Sequence, residues 1–170
     1  MTLLARSDWV NRDIMSHILA ALTPENRLAI ITSMVTGLRI GDVLSLRRSD
    51  LDKDRFTVTE EKTLKRRSIR LPARLRDELL LQCGKIYVFP HRYTERKHRT
   101  RQAVYKDIRR AAKAFRCRLH VSPHTARKIY AVAEYKKDMN IKRVQRLLNH
   151  SSEAVTMIYA LADELTARKK

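Results

Sequence analysis

Arg39, in "TGLRIGD", stands just past a glycine that can end a helix and just before the next helical run. Backbone N–H groups at such a junction point outward and favour anions, and a guanidinium fork can hold two phosphate oxygens at once. "SPHTARKIY" supplies a second pair. His124 and Arg127 are three positions apart, so a helix started by Pro123 carries both on one face and lets them converge on one group. Farther on, "RLLNHSSEAVTMIYA" holds His150 and, nine positions later, Tyr159. One unbroken helix of about 3.6 residues per turn would put these two on opposite sides. A break at Ser151 and Ser152, which favour helix starts, removes the conflict. Each group also has an ordinary reading: a surface arginine beside Asp42, a helix-start histidine with a solvated arginine, a packing tyrosine. Singly, none separates a phosphate site from a basic surface.

Helices must position these groups. "TPENRLAIITSMVTG" predicts one, with Thr23 as N-cap, Pro24 at the first position, Gly37 as stop, and Leu28, Ile31, Met34 and Val35 on its apolar face. "RDIMSHILAAL" upstream predicts another, and "LRIGDVLSL" a short third with Ile40, Val43 and Leu44 inward. The pattern then changes to alternation in "DRFTVTE" and "SIRLP", two short strands joined by a basic turn. Pro72 ends them. "ARLRDELLLQC" predicts a helix capped by Gly84, and "KIYVFP" a short buried extended piece. Residues 91–101, "HRYTERKHRTR", lack apolar periodicity and read as a basic loop before the helix "QAVYKDIRRAAKAF". Three helices follow, at about 123–135, 141–148 and 153–160. The expected class is α+β, mainly α, with a small antiparallel hairpin.

Charge narrows the function. The 170 residues suit one domain and carry a formal charge of +19, which favours a polyanionic partner, nucleic acid before an anionic membrane surface. No apolar run approaches the ~20 residues of a membrane span, and Met1 to Val10 lacks the apolar stretch of a signal peptide. Cys83 and Cys117 form neither a CxxC pair nor a disulfide framework, and neither has a histidine at metal-ligand spacing. A reducing cytoplasm is the expected compartment, with no zinc site.

Taken together, Arg39, the His124–Arg127 pair, His150 and Tyr159 resemble the tyrosine recombinase (phage integrase) family over about residues 23–160. "TGLRIGDVLSLRRSDL" is similar to that family's first catalytic-arginine segment, "HTARKIY" to its second, and "LLNHSSEAVTMIYA" to its nucleophile segment. "EEKTLKRRSIRLP" looks like the hairpin whose turn carries an essential lysine, and Lys62 is the best match, with Lys65 the second choice. Four motifs in order, at family-like intervals, outweigh the ordinary readings. Three positions depart from the pattern. Asn149 stands where glycine is usual, Lys128 where histidine is common, and Asp42 where glutamate is commoner. Asparagine also tolerates the left-handed backbone, and no departure removes a catalytic group.

The resemblance implies site-specific DNA recombination or integration through a covalent 3′-phosphotyrosine link, with a 5′ hydroxyl released. A five-coordinate phosphate gathers charge on its non-bridging oxygens, and preorganised cations can stabilise it without metal or ATP. Arg39 and Arg127 suit that task and His150 adds a hydrogen bond. Tyr159 is then the nucleophile, His124 the general base, and Lys62 the general acid. Lys65, Arg66, Arg92, Arg96, Lys97, Arg99 and Arg101, with Arg109, Arg110, Lys113 and Arg116, are expected on backbone phosphates. Double-stranded DNA is the implied partner, bound by a homotetramer; a monomer when free, and accessory DNA-bending proteins, are compatible with it. Residues 1–22 read as a leading helix and 161–170 as a tail packing on a neighbour. The core-binding domain that usually precedes this one in the family is expected to be absent. Two alternatives stay open: relaxation like that of a type IB topoisomerase, and a non-catalytic architectural protein on the same fold.

Overall fold

The structure, a computed structural model, describes residues 7–149. His150, Tyr159 and the helix expected at 153–160 lie outside the described residues. Seven α-helices and two hairpins make up the rest: α1 (Arg12–Ala20), α2 (Pro24–Thr36), α3 (Ile40–Leu44), β1 (Arg55–Thr59), β2 (Arg66–Arg70), α4 (Ala73–Gln82), β3 (Pro90–His91), β4 (Thr94–His98), α5 (Arg101–Ala114), α6 (Pro123–Asp138) and α7 (Ile141–Leu147). The mainly helical class with small antiparallel sheets is as expected.

α2 is the axis of the domain, touching α1, α3, α4 and α6. Its most buried face is not the one that hydrophobicity picks out. Asn26, Ala29, Ile30, Thr32, Ser33 and Thr36 are buried, whereas Leu28, Ile31 and Met34 are half-buried and Val35 is 39% exposed. Small and polar residues let neighbouring helices approach closely, and their hydroxyls are bonded where they sit. Thr32 Oγ1 donates to Leu28 O, Ser33 Oγ to Leu38 O, and Thr36 Oγ1 to Thr32 O. Asn26 donates to Asp107 of α5 at 2.8 Å, and the same carboxylate takes the Thr23 N–H and hydroxyl at 3.0 and 3.1 Å. Thr23 is thus the N-cap by position without a side-chain cap bond, and Asp107 instead ties the start of α2 to α5.

α2 stops at Gly37 as expected, in the left-handed region at φ 67°. A Cβ there would lie 2.4 Å from the Tyr130 ring, so α6 packs closely enough that only glycine fits. Two expectations fail. α4 ends at Gln82 with Cys83 extended, and Gly84, whose φ is not positive, takes no part as a left-handed cap. Residues 91–101 are not a plain loop: Thr94–His98 pairs antiparallel with Pro90–His91, in a strand whose residues are too polar to show apolar alternation. Met15, Ile18, Ile30, Leu38, Leu44, Leu79, Phe89 and Ile108 are fully buried in the main core. A smaller cluster of Tyr130, Ala131, Val144 and Leu148 fixes α7 on α6. Trp9 packs on the main core and shares a cleft with Ile129 and Val132 of α6.

Candidate active site

β1 buries alternate residues, Phe56 and Val58, and its parity continues one step past the strand to Glu60, which is fully buried. Arg67 and Ile69 face the same way on β2. The turn between the strands is closed by Glu60 N–H to Lys65 O at 3.0 Å and Leu64 N–H to Glu60 O at 2.8 Å. Lys62, Lys65 and Arg66 are exposed on it.

Glu60 carries the ion pairs of the site. Its Oε2 accepts from Arg39 Nη1 and, at 3.1 Å, from the Thr63 hydroxyl. Its Oε1 accepts from Arg67 Nη1 at 3.2 Å and from the Asn149 amide at 3.1 Å. Burial pushes this carboxyl up, but the Arg39, Arg67 and Arg127 cations outweigh it and hold the group below the ordinary glutamate value. Asp42, one turn into α3, takes the Glu61 N–H at 2.9 Å. Burial raises its pKa, and its second oxygen has no hydrogen-bond partner among the described residues.

Arg39 is the N-cap residue of α3 and keeps 20% of its side chain exposed. Arg127 differs. It is 2% exposed, and its guanidinium donates to Gly37 O at 2.8 Å and to Leu148 O. Arg67 donates to Thr36 O at 2.8 Å and Gly37 O at 3.4 Å. Two arginines therefore satisfy the last carbonyls of α2 and place positive charge at the negative end of its dipole.

Ser122 caps α6 in a reciprocal box with Thr125, and Pro123 is its first residue. His124 is exposed in the first turn, while Arg127 is turned into the protein. The protein packed around the His124 ring, and then the charges of Arg127, Arg39, Lys62 and Lys128, push its pKa below 6.5. An imidazole kept neutral at neutral pH can accept a proton. Asn149 adopts φ 50°, the left-handed backbone expected of it in place of glycine.

The structure thus brings Arg39, Lys62, His124 and Arg127 together and ends its described part beside them at Asn149. Sequence reasoning missed Glu60 and Arg67. The signal was a charged residue at an inward position of an alternating strand. Of the expected phosphate contacts, Arg92, Arg96, Lys97 and Arg101 are exposed, Arg101 lying against Gly41 of α3. Arg99 is drawn onto Glu25 at 3.6 Å with 19% of its side chain exposed.

The model of the phage integrase family matches residues 8–165. A probable integrase/recombinase, YoeC, of Bacillus subtilis (strain 168) is 37% identical over 139 residues, which are 78% of this chain and 75% of that protein. A tyrosine recombinase of Thermosipho africanus is 32% identical over 162 residues; the match takes in 89% of this chain but 56% of the relative. Among solved structures, a lambda integrase dimer bound to a COC′ core site superposes with a TM-score of 0.73 at 23% identity, covering 92% of this chain and 60% of that one. The catalytic domain of bacteriophage HP1 integrase gives 0.70 at 20% identity, covering 92% and 89%. Family model and relatives agree over nearly the whole length, and the chain belongs to the phage integrase family.

Proposed function

We propose that this chain is the catalytic domain of a site-specific DNA recombinase that breaks and rejoins strands through a tyrosine–phosphate link. One observation carries the reading. The α2–α3 junction, the β1–β2 turn, α6 and the Leu148–Asn149 turn, four segments far apart in sequence, are joined by hydrogen bonds from Arg39, Arg127 and Asn149. Arg39 offers a guanidinium to a phosphate, and Arg127 adds charge from beneath. His124, held neutral, is the base that takes the Tyr159 proton, needed because tyrosine ionises only near pH 10. Lys62 on the hairpin turn protonates the leaving 5′ oxygen, and His150 is a further donor to the phosphate. Exposed Lys65, Arg66, Arg92, Arg96, Lys97 and Arg101 hold the duplex by its backbone, a sequence-independent term. A homotetramer on DNA is the assembly in which such strand exchange is completed.

The test is incubation with randomised, nicked duplexes in chelator, without ATP, followed by denaturing electrophoresis. A covalent protein–DNA adduct is expected. Tyr159→Phe abolishes it, and Arg39→Ala slows it by roughly 100-fold or more, the scale for losing one transition-state donor. Tight binding with no adduct on any duplex would return the chain to the architectural class.

A further inference from the structure

Glu60 is the most deeply buried charge of the site, and nothing in the reaction assigned to the pocket uses a carboxylate there. Burying an ion costs several kcal/mol, so a leucine at this inward strand position would cost less unless the charge served its neighbours. Its neighbours are informative. Both carboxylate oxygens are doubly engaged, one by Arg39 and Thr63, the other by Arg67 and Asn149. Thr63 follows Lys62 and Asn149 precedes His150 in the chain. Arg39 belongs to a third segment. A single carboxylate therefore ties together the three stretches that carry a cation, an acid and a donor.

We propose that Glu60 is a positioning residue for strand cleavage, resting on the function proposed above: it orients the Arg39 guanidinium toward the scissile phosphate and holds the Lys62 turn against the Asn149 turn. A free arginine samples many rotamers, and fixing one edge of its fork on a carboxylate leaves the other edge aimed. Asp42 does not duplicate this role, since it accepts from the Glu61 backbone. DNA affinity does not depend on Glu60, because a duplex is held by many phosphate contacts spread over the surface.

The experiment compares wild type, Glu60→Gln, Arg39→Ala and the double variant on a duplex recovered from the adduct selection, measuring duplex affinity and the adduct rate at saturating DNA. Glu60→Gln keeps shape and size but removes the charge. Its rate should fall by on order of 100-fold, the effect of a misplacement of about 1 Å, with affinity within roughly threefold of wild type. In the Arg39→Ala background the same change should have a clearly smaller further effect, the remainder coming from the tie between the Lys62 and Asn149 turns, because residues that act through one another are not additive. A Glu60→Gln rate equal to or above wild type overturns the proposal, as does a full multiplicative loss in the double variant, which would mean a general structural role. Glu60→Asp keeps the charge but withdraws it by one methylene. It should show the same pattern at roughly 10-fold and decides the matter if Glu60→Gln does not fold; wild-type behaviour in it overturns the proposal. Absence of any wild-type adduct would instead remove the strand-cleaving reading itself.

Discussion

His124 is exposed, yet the surrounding protein and four nearby cations favour its neutral form. The sign has a functional consequence. A lowered pKa means that the proposed base is competent through neutral pH and is lost only as pH falls through the lowered value. Cleavage at limiting DNA reports the free enzyme. Its acid limb should therefore have a midpoint below about 6.5, the ordinary histidine value. A midpoint at or above that value, measured as initial adduct rate across pH 4.5–8 (a range set at about the histidine region), would take the base role from His124. Of the groups proposed for catalysis, the four in the described part, Arg39, Lys62, His124 and Arg127, were singled out from the sequence, because order and spacing survive in a linear string. Glu60 was not, since its meaning lies in parity: only after Phe56 and Val58 are known to point inward does an acid two steps on become a buried one.

Elements were legible where a local rule decides them. Pro24 and Gly37 bound α2 as expected, and Ser122 with Pro123 starts α6. The buried face of α2 was not legible, because it is chosen by how closely α3 and α6 approach and not by the hydrophobicity of α2 itself. The second hairpin escaped notice because the three middle residues of Thr94–His98 are exposed and its two end residues are polar and only partly buried. Asp107 shows what a single carboxylate tying α5 to the start of α2 is worth. Burial would raise its pKa, but Asn26, Thr23 and Arg110 hold it below the ordinary aspartate value. A depressed carboxyl contributes stability that is fully present above about pH 3.9 and disappears as pH falls through the folded value. Asp107→Ala should cost about 2–3 kcal/mol in urea melts at pH 7, since it leaves the buried Asn26 amide and the Thr23 N–H without their acceptor. The deficit should shrink in acid. A loss below about 0.5 kcal/mol would mean that the tie between α5 and the start of α2 contributes little.

For the molecule as a whole, +19 overstates the field that DNA meets, because Arg67, Arg99 and Arg127 are turned inward. The remaining exposed cations still predict binding dominated by counterion release. Affinity for an arbitrary duplex should fall by roughly 10³–10⁵ between about 50 and 200 mM salt if some six to ten phosphates are contacted. A fluorescence-anisotropy titration series would measure the slope, and a nearly flat one would contradict a phosphate-reading surface. The same instrument gains from another feature of the fold. The chain's single indole, Trp9, packs on the main core and shares a cleft with Ile129 and Val132 of α6. Its intrinsic emission therefore acts as a built-in optical gauge of whether the packing around α6 is intact. Each inactive variant can be sorted by colour of emission alone into broken chemistry or a melted scaffold, with no added label.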